Sequence, residues 1–348
     1  MHTASPGALP PSVAPAPDAS AGARRAAFPT QRPPGYFSPD ADPAALRAFW
    51  EANGYLVMED AYTQAEVAAL ISEATAICRG QRGTINDAEP LPAALSDAEV
   101  LRQFLCIHFP HKFSAPMRAT LFNPATLKVL TSVIGPNVKS MQSMLFIKAS
   151  GKPGQAWHQD EDYIPTRDRS LVGGWIALDR ATVANGGLWV IPGSHRRGIL
   201  WDQHWHGDRR FDCAEESRGF PYTDADAVPV EVEAGSVVFF HGYLLHRSLP
   251  NGAPEGTYRR ALVNHYMSCE SFLPWQPPAA GEKVGMAKLD YRDVVVVAGR
   301  DPYAHRGYAD LAKPLLRRDG RSGCVNWVSG EKLPYQDEPT PAGAGHDH

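Results

Sequence analysis

Residues Lys139 to Asp160 read KSMQSMLFIKASGKPGQAWHQD. The first ten, Lys139 to Lys148, have strand composition, a Gly/Pro-containing loop follows, and a second extended stretch ends on Trp157-His158-Gln159-Asp160. Downstream, Gly174 to Leu178, Leu188 to Ile191, Val228 to Val232, Ser236 to Phe240 and Arg259 to Met267 have the same character. Asn185-Gly186-Gly187, Pro192-Gly193-Ser194 and Ala234-Gly235 separate them with turn chemistry. Short strands, Gly/Pro turns and no alternating helices predict an antiparallel jelly roll over about 138–270, not a parallel sheet. Ile199 to Asp226 interrupts the pattern, and its length and mixed Trp/His composition predict a lid loop.

The chain before this core reads as a helical layer. Asp42-Pro43 caps a helix carrying Ala44, Leu46, Phe49 and Trp50, and Asn53-Gly54 stops it. Tyr55 to Met58 is a short strand. Thr63, with Glu66 three residues on, opens a second helix to about Ile77 through a capping box. Asn123 to Val133 is a third, ended by Gly135-Pro136. Residues 1–34 are rich in Ala, Pro and Ser without apolar period, and 339–348 are similar, so both are expected to be disordered. A single domain is expected over 38–330, with Leu289 to Val297 adding a strand or a contact between copies.

The chain has 348 residues, 43% of them hydrophobic and 21% charged, enough for a substantial core. A net charge of −4 without long charged runs gives no reason to expect nucleic acid as a partner. No apolar run is long enough to span a membrane. Cys78, Cys106, Cys213, Cys269 and Cys324 are scattered and odd in number, the usage of a reduced compartment. Arg24-Arg25 lacks the apolar stretch of an export signal. A cytoplasmic protein is the expectation.

A histidine and a carboxylate two positions apart on extended backbone face the same way, so His158 and Asp160 can grip one ion. A third ligand would complete a two-His-one-carboxylate set with open positions opposite, the arrangement of non-haem Fe(II) oxygenases. His206-Gly207-Asp208 has the same spacing but lies within the lid among charged residues, and reads as a solvated loop. His241 and His246 both follow the strand ending at Phe240, and spacing does not choose between them. Alternation puts Arg259 on one face with Ala261 and Val263, and Arg260 on the other with Leu262 and Asn264. Small apolar neighbours mark the first face as the interior, where a guanidinium needs an anionic partner and a carboxylate fits.

Met144-Leu-Phe-Ile-Lys148, Trp157-His-Gln-Asp160, Trp175-Ile-Ala-Leu-Asp179, Asn185-Gly-Gly-Leu-Trp189, Pro192-Gly-Ser-His195 and His246-Arg-Ser248 occur in this order. Together they resemble the phytanoyl-CoA dioxygenase family of Fe(II)/2-oxoglutarate oxygenases, over about Ala44 to Trp275. The resemblance implies a mainly β fold with flanking α: a cupin-like double-stranded β-helix, or jelly roll, with an N-terminal helical layer. It implies His158, Asp160 and His246 as iron ligands, so that His241 becomes a supporting histidine. Arg259 matches the residue that pairs with the far carboxylate of 2-oxoglutarate. Met144, Trp175 and Ser248 match co-substrate pocket positions, and Lys112 a further one.

The implied reaction uses Fe(II), 2-oxoglutarate and O2, releases succinate and CO2, and oxidises an unactivated C–H bond of a small molecule. Because Asp160 supplies a carboxylate where halogenating relatives leave room for chloride, the resemblance implies hydroxylation or a related oxidation, not halogenation. Asp162, Tyr163, Arg167, Trp201, His204 and Trp205 are expected at the pocket rim. An acyl-CoA hydroxylase is the alternative within the family. A cupin-type enzyme without 2-oxoglutarate is the alternative outside it, and it would have no use for Arg259. A non-catalytic barrel would lack an iron ligand. The oligomeric state is left open.

Overall fold

A computed structural model describes residues 33–83, 85, 91–212, 215–271, 294–306 and 313–319. The tail expected over 339–348 and all but the last two residues of the arm expected over 1–34 lie outside them, as do Leu289 to Asp293 of the expected late strand. The described strands are β1 (Tyr36–Phe37), β2 (Tyr55–Met58), β3 (Phe104–His108), β4 (Val138–Ala149), β5 (Gln155–His158), β6 (Val172–Ala177), β7 (Leu188–Val190), β8 (Gln203–Trp205), β9 (Glu215–Ser217), β10 (Val228–Val230), β11 (Val237–His241), β12 (His246–Ser248), β13 (Tyr258–Ser268), β14 (Val295–Ala298) and β15 (Leu315–Arg318). The α-helices are α1 (Pro43–Asn53), α2 (Gln64–Cys78), α3 (Asp97–Arg102), α4 (Ala115–Ala119), α5 (Pro124–Val133) and the single turn α6 (Asp160–Tyr163).

A large sheet runs β1-β2-β11-β6-β13-β4-β3-β15, with β14 also on β4, and a small sheet runs β10-β7-β12-β5. Every pairing in them is antiparallel except that of β1 with β2. This is the jelly roll that the turn-separated strands predict. Both faces of the large sheet are buried, which is why β11 reads as an unbroken apolar run, Val237-Val238-Phe239-Phe240. Val57, Trp175, Val238, Ala261 and Val263 face Leu188, Val190 and Val230 of the small sheet. Leu56, Met58, Ile176, Phe239 and Leu262 point the other way, into a cluster with Leu46 and Trp50 of α1, Leu70 and Ile77 of α2, and Leu130 of α5. The helical layer therefore stiffens the back of the sheet whose front carries the site.

Helix starts follow local chemistry. Asp42 accepts from the amide of Ala44, Pro43 opens α1, and Gly54 ends it in the left-handed region at φ 76°. Thr63 and Glu66 form the expected capping box, and Asn123 caps α5. Among the elements beyond the sequence expectations are α3 and β3. Ser96 and Glu99 make a second capping box that opens α3, and β3 carries the large sheet outward past β4.

The segment from Ile199 to Asp226 contains the hairpin β8–β9. Trp201, Phe220 and Tyr222 pack against Trp157, Ile191 and Leu245. Because Trp157 points opposite to His158, this segment covers the outside of the small sheet. Gln159 ties it down: its amide group donates to the carbonyls of Ile199 (2.9 Å) and Tyr243 (2.8 Å), and its oxygen accepts from the amide of Trp201 (2.8 Å).

Candidate metal centre and co-substrate pocket

His158 ends β5 and His246 begins β12, and the two are directly paired across the strands. Their rings lie 4.1 Å apart between centroids. Asp160 begins the turn that follows, and its Oδ1 is 3.6 Å from each histidine Nε2. One ligand atom from each of these three residues lies within 4.8 Å of the others; no other such group occurs among the described residues. His158 Nδ1 is 2.8 Å from the carbonyl of Ala156, and His246 Nδ1 is 3.0 Å from that of Leu244. Those carbonyls hold the proton on Nδ1 and leave Nε2 as the electron-pair donor.

The electrostatics favour a cation. Burial alone would raise the pKa of Asp160, but His246, the hydrogen bond from His265 and then His158 hold it well below the usual carboxylate range. Burial, followed by the neighbouring His158, pushes His246 down to about 4. At neutral pH the set thus offers an ionised carboxylate and a neutral buried imidazole, the protonation states a divalent metal requires. His265, which the sequence reading did not single out, donates from Nε2 to Asp160 Oδ2 at 2.8 Å. It leaves Oδ1 turned to the two histidines. Its signal was available: strand alternation places positions 259, 261, 263 and 265 on one face.

That face is the interior. Arg259 is 2% exposed, and its Nε is buried without a hydrogen-bond partner. Its guanidinium stands 5.4 Å from the centre of the Trp175 ring. Burial lowers its pKa to about 10, so it remains charged at neutral pH. Arg260 faces the other side, where Asp179 grips it: Nε to Oδ2 at 2.8 Å and Nη2 to Oδ1 at 2.6 Å. Met144 and Trp175 are both paired in register with Val263, which puts them on the same inner face as Arg259. Ser248 is buried on β12, bonded to Lys148. Lys112 lies on a turn after β3, its ammonium 5.4 Å from the Phe109 ring centre.

The two other candidate histidines, His241 and His206, are engaged elsewhere. His241 packs between Trp50 and His195, at ring distances of 5.9 and 5.2 Å, at the end of α1. His206 accepts from the amide of Asp208 within the outer cover. Among the rim expectations, Tyr163 meets His158 edge-on at 6.2 Å and Trp205 is 42% exposed on β8.

Fe(II) fits two imidazole nitrogens and a carboxylate gathered on one side, and a dicarboxylate fits a buried guanidinium that has no hydrogen bond or ion pair to a carboxylate among the described residues. A jelly roll with such an interior defines a class, the cupin-like non-haem oxygenase fold. The family model for phytanoyl-CoA dioxygenase matches residues 50–261. The chain belongs to the phytanoyl-CoA dioxygenase family of Fe(II)/2-oxoglutarate oxygenases. It is a 2-oxoglutarate-dependent dioxygenase, with Fe(II), 2-oxoglutarate and O2 as cofactor and co-substrates. It is 30% identical over 255 residues to phytanoyl-CoA dioxygenase 1 of Oryza sativa subsp. japonica, covering 64% of this chain and 88% of the relative. With a phytanoyl-CoA dioxygenase of Arabidopsis thaliana it shares 39% over 123 residues, which is 35% of this chain and only 42% of that relative's length. The fold matches that of the non-heme monooxygenase ThoJ, with a TM-score of 0.55 at 21% identity, over 74% of this chain and 84% of that one.

Proposed function

We propose that the enzyme hydroxylates an unactivated C–H bond of a small-molecule metabolite, with 2-oxoglutarate converted to succinate and CO2. One observation carries this reading. The His158–Asp160–His246 set and Arg259, whose buried Nε has no hydrogen-bond partner among the described residues, face the same interior, as a metal and a keto-diacid together require. In this proposal His158, Asp160 and His246 hold the iron and Arg259 grips the far carboxylate. Met144, Trp175 and Ser248 line the co-substrate pocket, and Lys112 approaches it from the turn after β3. Bound iron supplies activation of O2 for oxidative decarboxylation and C–H oxidation. The chain supplies the rest: His265 turns Asp160 toward the metal position, the Ala156 and Leu244 carbonyls fix both imidazoles, and the apolar inner walls exclude water. Asp160 keeps a carboxylate at the position a halide would need, which supports hydroxylation over halogenation.

A cupin-type enzyme without 2-oxoglutarate gives Arg259 no role, since a buried guanidinium with no anion is costly. The domain is taken to run over 38–330, in a reduced, cytoplasmic setting. Among the described residues no helix is long and apolar enough to cross a membrane.

The test is a screen for succinate release by the Fe(II)-loaded enzyme, with polar metabolites in one arm and acyl-CoA thioesters in the other. Release only in the thioester arm would overturn the metabolite reading in favour of an acyl-CoA hydroxylase; release in neither, with 2-oxoglutarate replaceable by buffer, would remove the co-substrate altogether. A second expectation concerns His265. His265→Ala should weaken Fe(II) binding about 10–100-fold, as loss of a partner to a metal-ligating group typically does, and His265→Gln should recover part of it. Unchanged iron affinity in the alanine variant would reduce His265 to a packing role.

A further inference from the structure

Lys148 is 6% exposed. It lies on β4 directly opposite Arg259 of β13, so two cationic side chains face each other on the inner face. Like charges in that relation destabilise a sheet, and among the described residues Lys148 makes no hydrogen bond to a carboxylate that would offset them. Its ammonium instead donates to three neutral oxygens: Leu249 O at 2.8 Å, Ser248 Oγ at 2.9 Å and Gly186 O at 3.3 Å. An ammonium has three protons, so all are committed.

The consequence falls on Ser248, itself 1% exposed. Its Oγ accepts from Lys148 and also from the amide of Gln155 at 3.2 Å. A hydroxyl accepts two hydrogen bonds and donates one. With both acceptor positions used, the Ser248 O–H can act only as a donor, and no acceptor for it is found among the described residues.

The surroundings are built around this contact. Gly186 has φ +77°, and a Cβ there would collide with Leu249 O and come within 3.1 Å of the Lys148 stem. A Cβ at Gly154 would collide with Ser248 O, so only glycine lets β5 come close enough for Gln155 to reach the hydroxyl. Three of the ordered sequence pieces, Met144 to Lys148, Asn185-Gly186-Gly187 and His246 to Ser248, thus meet at one ammonium.

We infer that Lys148 is a positioning residue for the co-substrate: it orients the Ser248 hydroxyl so that its proton is offered to the same far carboxylate that Arg259 grips. The inference rests on the reading of Arg259 given above. Burial, and then Arg259, push the Lys148 pKa well below its usual value, and a bound carboxylate beside the pair favours the ammonium form that orients the hydroxyl.

The test is anaerobic calorimetric titration of the Fe(II)-loaded protein with 2-oxoglutarate and with pyruvate, which keeps the keto-acid end but has no far carboxylate. Ser248→Ala and Lys148→Met are each expected to weaken 2-oxoglutarate about 10–100-fold, the scale of a lost hydrogen bond to a charged group, and to leave pyruvate nearly unchanged. The double variant should be little worse than Lys148→Met alone, because the lysine acts through the serine. Full additivity would overturn the inference. So would a wild-type ratio of 2-oxoglutarate to pyruvate affinity in Ser248→Ala, which removes one oxygen and decides the matter even if Lys148→Met fails to fold. Arg259→Ala separates the two levels: if it leaves the ratio unchanged, the carboxylate is not held there and the underlying reading fails. If it lowers the ratio while Ser248→Ala does not, only the inference fails.

Discussion

His246→Ala is expected to abolish 2-oxoglutarate turnover, whether or not a substrate is present, and His158→Ala and Asp160→Ala to do the same. The reason is geometric. His158 and His246 are cross-strand partners whose Nε2 atoms flank one carboxylate oxygen, so removing any of the three leaves two donors on one side of the cavity. The loss should exceed the roughly 10–100-fold that deleting a mere outer partner of a ligand brings. His241→Ala is the control, since its ring is engaged by Trp50 and His195. It should retain turnover once allowance is made for any change in stability. Succinate release at saturating Fe(II) measures all four. Retained turnover in the His246 variant would hand the third position to another residue.

The second large effect is expected at Arg259, and it has two signs. Arg259→Met should raise the 2-oxoglutarate requirement by about 30-fold to a few thousand-fold, the equivalent of about 2–5 kcal/mol for cutting one partner from a buried charge pair. It should also raise the thermal midpoint of the ligand-free protein, because a buried charge that faces Lys148, and whose Nε has no hydrogen-bond partner among the described residues, is removed. Arg260→Ala should do neither, since its guanidinium is spent on Asp179. A 2-oxoglutarate requirement left intact by Arg259→Met and raised by Arg260→Ala would exchange the two residues.

Much of this was legible in the residues, and the reasons differ by element. β4 and β13 have strand composition along their length, so the strand expectations fall close to the observed limits, and the alternation at 259–263 puts Arg259 inside and Arg260 outside. Thr63–Glu66 and Asp42-Pro43 are local capping chemistry, and local chemistry survives packing. The choice of His246 over His241 was different. Both follow the same strand, and only the pairing of β12 with β5 brings one of them against His158. That pairing is non-local, so no spacing rule expresses it; the family resemblance did. His265 was readable by alternation from Arg259, but a histidine six residues along has no separate motif to mark it. The segment after Ile199 looked like a lid because its composition records exposure and aromatics, not direction. Gln159, lying between His158 and Asp160, pins it to the outer side of the small sheet.

The most direct measurement is anaerobic equilibrium binding of Fe(II), followed by 2-oxoglutarate addition monitored in visible absorption. Prediction: one Fe(II) per chain, and a visible charge-transfer band that appears only when 2-oxoglutarate is added and is absent from Asp160→Ala and His246→Ala. A wild-type chain that takes up no Fe(II), or a band that persists in those two variants, would contradict the assignment of the metal centre.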